Sequence, residues 1–110
     1  TVELSAVEDH SYMVVIDGDK PIAGGLTSFQ SSDKKFDVGF YHGSKVTLQI
    51  NDWPVDEVMV FLEGQVEITN EDGTSKIYGP GDMLVMPKGF VGIWRQLGPI
   101  KKLNVSYQGQ

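Results

Sequence analysis

From end to end the chain alternates short β-type blocks with turn residues, and no window of about 11 or more residues keeps a helical period without a breaker. Tyr12–Ile16 stops at Asp17-Gly18, Phe36–His42 runs to Gly43, and Lys45–Ile50 ends at Asn51-Asp52-Trp53-Pro54. Glu57–Leu62 meets Glu63-Gly64, and Gln65–Thr69 enters Asn70-Glu71-Asp72-Gly73. Ser75–Tyr78 meets Gly79-Pro80-Gly81, Asp82–Met86 meets Pro87-Lys88-Gly89, and Phe90–Leu97 meets Gly98-Pro99 before Ile100–Tyr107. Strands spaced at about 8–12 residues, with Gly and Pro between them, predict an all-β sandwich or barrel. Residues 1–35 are less regular. Pro21-Ile22-Ala23-Gly24-Gly25-Leu26, followed by Ser28–Ser32, predicts a loop-rich lead-in with one or two edge strands. That lead-in and a β core over residues 36–107 are expected to form one domain, as 110 residues suit.

Charge and cysteine usage narrow the partners. Nine basic and fifteen acidic side chains leave a net charge of −6, without a Lys/Arg cluster. Such a surface is repelled by phosphate backbones and anionic lipids, so neither nucleic acid nor membrane is an expected partner. With no cysteine there is no disulfide framework, thiolate metal site or thiol nucleophile. The longest apolar run, Val58–Leu62, is far short of the ~20 residues that span a bilayer as a helix. Thr1-Val2-Glu3-Leu4 has neither the basic region nor the apolar stretch of a signal peptide, and cytoplasm is the expected compartment.

Two central strands differ in period. Val46, Leu48 and Ile50 alternate with Thr47 and Gln49, giving one apolar and one polar face. In Glu57–Leu62 both faces are apolar, Val58, Val60 and Leu62 on one and Met59 and Phe61 on the other, which predicts a strand between two packed layers. Glu57 heads the Met59/Phe61 row. Gly64 and Gly73 bracket a hairpin where positive φ is needed, and Pro87-Lys88-Gly89 ends a strand by removing a ladder donor.

Glu57 and Gly64 are separated by six residues. Gly81, five residues, Pro87, one residue and Gly89 follow at an interval of about 17 from Gly64. Together they resemble the two motifs of the cupin superfamily. Asp56-Glu57, Leu62-Glu63-Gly64, Gly79-Pro80-Gly81-Asp82, Pro87-Lys88-Gly89-Phe90, Gly92-Ile93-Trp94 and Pro99-Ile100-Lys101-Lys102 are similar to one branch of it. That branch is the small DUF861-type cupins related to ureidoglycine aminohydrolase and ethanolamine-utilisation proteins. The resemblance covers roughly residues 36–107 and implies a single-domain jelly-roll, or double-stranded β-helix, barrel.

It also implies where a metal would sit, and the chain departs there. Metal-binding cupins carry His-x-His shortly before the glutamate, where this chain has Ile50, Asn51, Asp52 and Trp53. The second-motif histidine is replaced by Gly92. Of the four usual ligands only Glu57 remains, and one carboxylate does not make a transition-metal site. The expectation is no metal and no cofactor. His10 and His42 are expected at the surface or rim; an unusual site joining either to Glu57 is the alternative.

If the resemblance holds, Glu57, Met59 and Phe61 point into the barrel, and parity sends Gly92, Trp94 and Gln96 inward as well. Trp53 belongs near the rim. Loss of the histidine at position 92 is expected to open space for Trp94 or a ligand. Trp53, Glu57, Met59, Phe61, Trp94 and Gln96 are thus the candidate ligand-binding residues, for a small metabolite of sugar-like or amine-like chemistry. The competing reading of these residues is plain core, with Glu57 held by backbone donors or a lysine. A polar-inward register of Lys45–Ile50 would leave its apolar row to be covered by a second subunit, so a homodimer is expected on that register. Three functions stay open: a metal-free small-molecule-binding domain, an enzyme using Glu57 as acid/base or residual metal ligand (with His42 or Asp56 as partner), and a structural or regulatory module.

Overall fold

The computed structural model describes residues 2–109, which form eleven strands and no helix. In chain order these are β1 (Ser5–Ala6), β2 (Met13–Asp17), β3 (Ile22–Gln30), β4 (Phe36–Gly43), β5 (Val46–Ile50) and β6 (Asp56–Glu63). They continue with β7 (Val66–Asn70), β8 (Ser75–Tyr78), β9 (Met83–Met86), β10 (Gly92–Gln96) and β11 (Ile100–Tyr107). A six-stranded sheet in the order β1-β3-β4-β11-β6-β9 faces a five-stranded sheet in the order β2-β5-β10-β7-β8. All pairings are antiparallel. This is the all-β architecture the punctuation predicts, in the jelly-roll form the resemblance implies. No helix of the described residues is long and apolar enough to cross a membrane.

The lead-in is more ordered than its composition suggests. It supplies β1 and β2, one at an edge of each sheet, and β3, a nine-residue strand paired along β4 with a register shift between Thr27 and Phe29. Gly64 and Gly73 both have positive φ, +80° and +88°, as their turns require. Gly73 closes the β7–β8 hairpin, whereas Gly64 carries the chain from one sheet to the other.

The core lies between the sheets. Val46, Leu48 and Ile50 are buried, so β5 turns its apolar row inward and the polar-inward alternative is excluded. Asn51 accordingly lies exposed, outside the interior. Met59 and Phe61 of β6 are fully buried against Trp94, Ile68 and Met86.

The outer face of the six-stranded sheet departs from the expectation of a strand packed on both sides. Val58 and Val60 are only half-buried and Leu62 is exposed, so β6 is covered on one face in this chain, not two. Their neighbours across the sheet are apolar too. One cross-strand row runs Leu26, Phe40, Leu103, Val60, Met83; the next runs Phe29, Val38, Val105, Val58, Val85. Single exposed apolar residues are ordinary, but two contiguous rows across five strands make a continuous patch.

Candidate functional site

Antiparallel pairing decides what enters the interior beside Glu57. In β11 the parity that sends Leu103 and Val105 outward sends Lys102 and Asn104 inward, with Lys102 opposite Tyr41 of β4 and Phe61 of β6. Lys102 is 6% exposed and Glu57 7%. The ammonium Nζ donates to Glu57 Oε2 at 3.1 Å and lies 3.2 Å from the Met59 sulfur. The same Nζ sits 4.8 Å from the centre of the Trp94 ring and 5.1 Å from that of Tyr41. Two electron-rich rings and a carboxylate are a fitting enclosure for a cation. Burial nonetheless pushes the Lys102 pKa below its ordinary value, with Glu57 opposing the shift.

Gln96 organises the opposite wall. Its Oε1 accepts from Trp94 Nε1 at 2.9 Å and from the Tyr41 hydroxyl at 3.2 Å, and its Nε2 donates to the Ser44 carbonyl at 2.6 Å. The buried amide thereby fixes both rings that face Lys102. Burial raises the Tyr41 pKa, partly offset by the bond to Gln96.

Trp53 is held between β5 and β6 by two backbone bonds. Its N–H donates to the Phe90 carbonyl at 3.1 Å, and its carbonyl accepts from the Gly89 N–H at 2.8 Å. The indole Nε1 is buried without a hydrogen-bond partner among the described residues, a donor left unmet.

These side chains share one cavity of about 300 Å³ between the sheets. Trp53, Glu57, Met59, Trp94 and Gln96 line it as the sequence implies, together with Tyr41, Lys102 and Asn104, which the sequence reading missed. Phe61 does not line it: the ring is fully buried, packed between Trp94 and Tyr78. Position 92 opens no space. A Cβ at Gly92 would run into the Thr69 carbonyl and come within 2.7 Å of the Phe90 ring, so Phe90 has taken the room a histidine would use. His10 stacks on Tyr12 at the surface, 5.2 Å between centroids, and His42 borders a different recess beside Glu63 and Lys101. Neither approaches Glu57. Asp56 is occupied as an acceptor for the Lys88 N–H at 2.9 Å.

Residues 32–103 of the 110 match the family described as the EutQ-like cupin domain. The chain belongs to the EutQ-like cupin family. Among curated proteins none matches this sequence. Solved structures share the cupin fold. A DUF861-family protein of unknown function from Pseudomonas syringae pv. tomato superposes with TM-score 0.79 at 19% identity, over 96% of this chain and 44% of that one. This cupin therefore spans less than half the length of that neighbour. A putative ethanolamine utilization protein Q from Salmonella typhimurium gives TM-score 0.68 at 20% identity, over 100% and 98% of the two chains. Ectoine synthase from P. lautus gives 0.65 at 17% identity, over 78% and 64%. At such identities the likeness speaks for fold.

The cupin fold implies a metal at this end of the barrel, and the residues present do not fit one. The one carboxylate of the expected ligand set already binds an ammonium, whose charge would repel a divalent cation. The second-motif position has no room for a ligating side chain. Among the described residues no group of three or more His, Cys, Asp or Glu converges.

Proposed function

We propose that this cupin binds a small, neutral, largely apolar metabolite in the cavity between its sheets. The observation that carries the reading is the cavity itself, floored by the buried Lys102–Glu57 pair and walled by Trp53 and Trp94. The pair has no net charge, so neither an anion nor a cation finds an unopposed counter-charge there. The aromatic faces that would have welcomed an amine are engaged by the protein's own ammonium. That moves the ligand away from the amine-like chemistry suggested by the motif alone. Polar complementarity remains in the unmet Trp53 Nε1 and in Asn104, which suit one or two acceptor oxygens.

A ligand present at a hundred times its Kd stabilises the fold by about 2.7 kcal/mol, well within reach of a thermal-shift screen. Neutral alcohols and ketones are expected to raise Tm in the wild-type protein, and Trp94→Ala to abolish the rise. Shifts that survive both Trp94→Ala and Met59→Ala would place binding elsewhere and sink this assignment.

A second reading is enzymatic, and Lys102 favours it by giving Glu57 the proton-transfer partner that neither His42 nor Asp56 supplies. Turnover of a bound ligand that Glu57→Gln leaves at full rate would exclude it.

We also propose that a second copy of the chain covers the apolar outer face of the six-stranded sheet. Two such rows across five strands span roughly 20 Å by 10 Å, an apolar centre for an interface of the standard ~800 Å² per partner.

A further inference from the structure

We propose that Lys102 is a carbonyl-capturing residue, forming a reversible Schiff base with a small apolar aldehyde or ketone held in the cavity. The inference deepens the small-molecule-binding reading and rests on it.

Four observations converge. The amine lines the cavity, so a bound molecule can meet it, yet it is only 6% exposed and so shielded from bulk water. Burial itself disfavours the ammonium relative to the neutral amine, against the pull of the carboxylate and the two ring faces. Glu57 Oε2, 3.1 Å away, is a base within proton-transfer reach. Apolar side chains predominate in the remaining lining, Met13, Leu48 and Ile50 among them, beside the polar Thr27, Asp37 and Asn104, which suits a small carbonyl compound. Exposed lysines meet one condition or another, as Lys101 does with Glu63 at 2.9 Å, but without the shielding from water that Lys102 has.

The step balances without an oxidant or reductant. Glu57 accepts a proton from the Lys102 ammonium, and the freed lone pair attacks the carbonyl carbon while the C=O π pair moves to oxygen. A proton shift from nitrogen to oxygen gives the carbinolamine. Glu57 returns its proton to the hydroxyl, water leaves, and the nitrogen lone pair forms the C=N bond. The product is an iminium with Glu57 again a carboxylate. Charge in the site is therefore the same before and after, and the carboxylate and rings that hold the ammonium also hold the iminium.

The test is reductive trapping of the intact protein with butanal and sodium cyanoborohydride, followed by peptide mass mapping. Lys102 is expected to be labelled severalfold faster than exposed lysines such as Lys20 and Lys35, because burial favours its neutral amine and the cavity holds the aldehyde beside it. Glu57→Gln, which keeps the amine and removes the base, is expected to slow that label while leaving the surface labels unchanged. Label spread over the exposed lysines with Lys102 unmodified would overturn the inference. 1-Butanol separates its failure from that of the binding reading, because it shares the hydrocarbon and cannot form an imine. If 1-butanol raises Tm and Lys102 stays unlabelled, only the carbonyl chemistry is lost. If neither compound raises Tm and Lys102 stays unlabelled, both readings fall.

Discussion

Lys102 and Glu57 hold each other in the interior, and their coupling makes sharp expectations for substitution. Removing one partner of a buried pair leaves the other charge uncompensated, at about 3–5 kcal/mol, whereas replacing both by apolar residues is often neutral or stabilising. Lys102→Met is therefore expected to lower the free energy of urea unfolding by that order, and Glu57→Leu combined with Lys102→Met to restore most of it. Equal losses in the single and double variants would show that the two side chains do not act as a pair. A pH dependence follows from the same residues. Burial holds the Lys102 pKa below 10.5, so in the window beneath 10.5 the unfolded chain keeps a proton the folded chain has lost, and rising pH stabilises the fold. Burial holds Tyr41 above 10.0, so beyond that value the unfolded chain loses a proton the folded chain keeps, and rising pH destabilises it. Glu57 and Asp37 are the other titratable groups lining the cavity. Denaturation across the alkaline range is expected to show a rise toward about pH 10 and then a fall. Lys102→Met should lose the rise and Tyr41→Phe should blunt the fall; a flat profile in the wild type would contradict both. Glu57, Trp94 and Gln96 were legible as interior from parity and motif position. Lys102 was not, because a lysine between Lys101 and Leu103 reads as solvent-facing until the sheet register is known.

At the level of strands, β10 shows how one position closes a chemistry. Gly92 lies opposite Ile50 of β5 and Asn70 of β7, and Phe90 folds back over it. Gly92→His, which restores the family's missing histidine in sequence, is expected to cost on the order of 1–3 kcal/mol from overpacking and to confer no metal binding. Elemental analysis after growth with manganese, iron, nickel and zinc checks the second half; one tightly bound metal per chain would refute it. Strand identity was legible wherever punctuation was dense: Ser75–Tyr78 and Ile100–Tyr107 match β8 and β11 from end to end. β3 was harder to see. Its Gly24-Gly25 pair and Thr27-Ser28 step lack the alternation that marks a half-buried strand, and its order comes from pairing with β1 and β4. Alternation alone cannot say which face of β5 meets the core, so the sequence admits either register.

For the molecule as a whole, alternation misleads most on the six-stranded sheet, and the reason bears on assembly. In β4 the apolar residues Phe36, Val38 and Phe40 point outward while Gly39 and Tyr41 face the cavity; in β11 Leu103 and Val105 point outward while Lys102 and Asn104 face in. A monomer in water gains nothing from that inversion, since it hydrates its apolar rows and buries its polar ones. Covering the outer face would remove the cost, and a second copy would do so symmetrically: an apolar sheet face can meet itself about a two-fold axis without a complementary partner. The net charge of −6 on each copy is no obstacle if the contact is made through the uncharged rows centred on Leu103 and Val60. The register once expected to demand a dimer, a polar-inward β5, is absent, so the case rests on the other sheet. Sedimentation equilibrium is expected to give a dimer. Leu103→Asp, set in the middle of the patch with no core contact to lose, should give a folded monomer whose far-ultraviolet circular dichroism matches the wild type. Thr47→Asp, on the outer face of the five-stranded sheet, should leave the dimer intact. A wild-type monomer at high protein concentration would mean that the exposed rows serve no self-association, and a dimer that survives Leu103→Asp but not Thr47→Asp would move the interface to the opposite sheet.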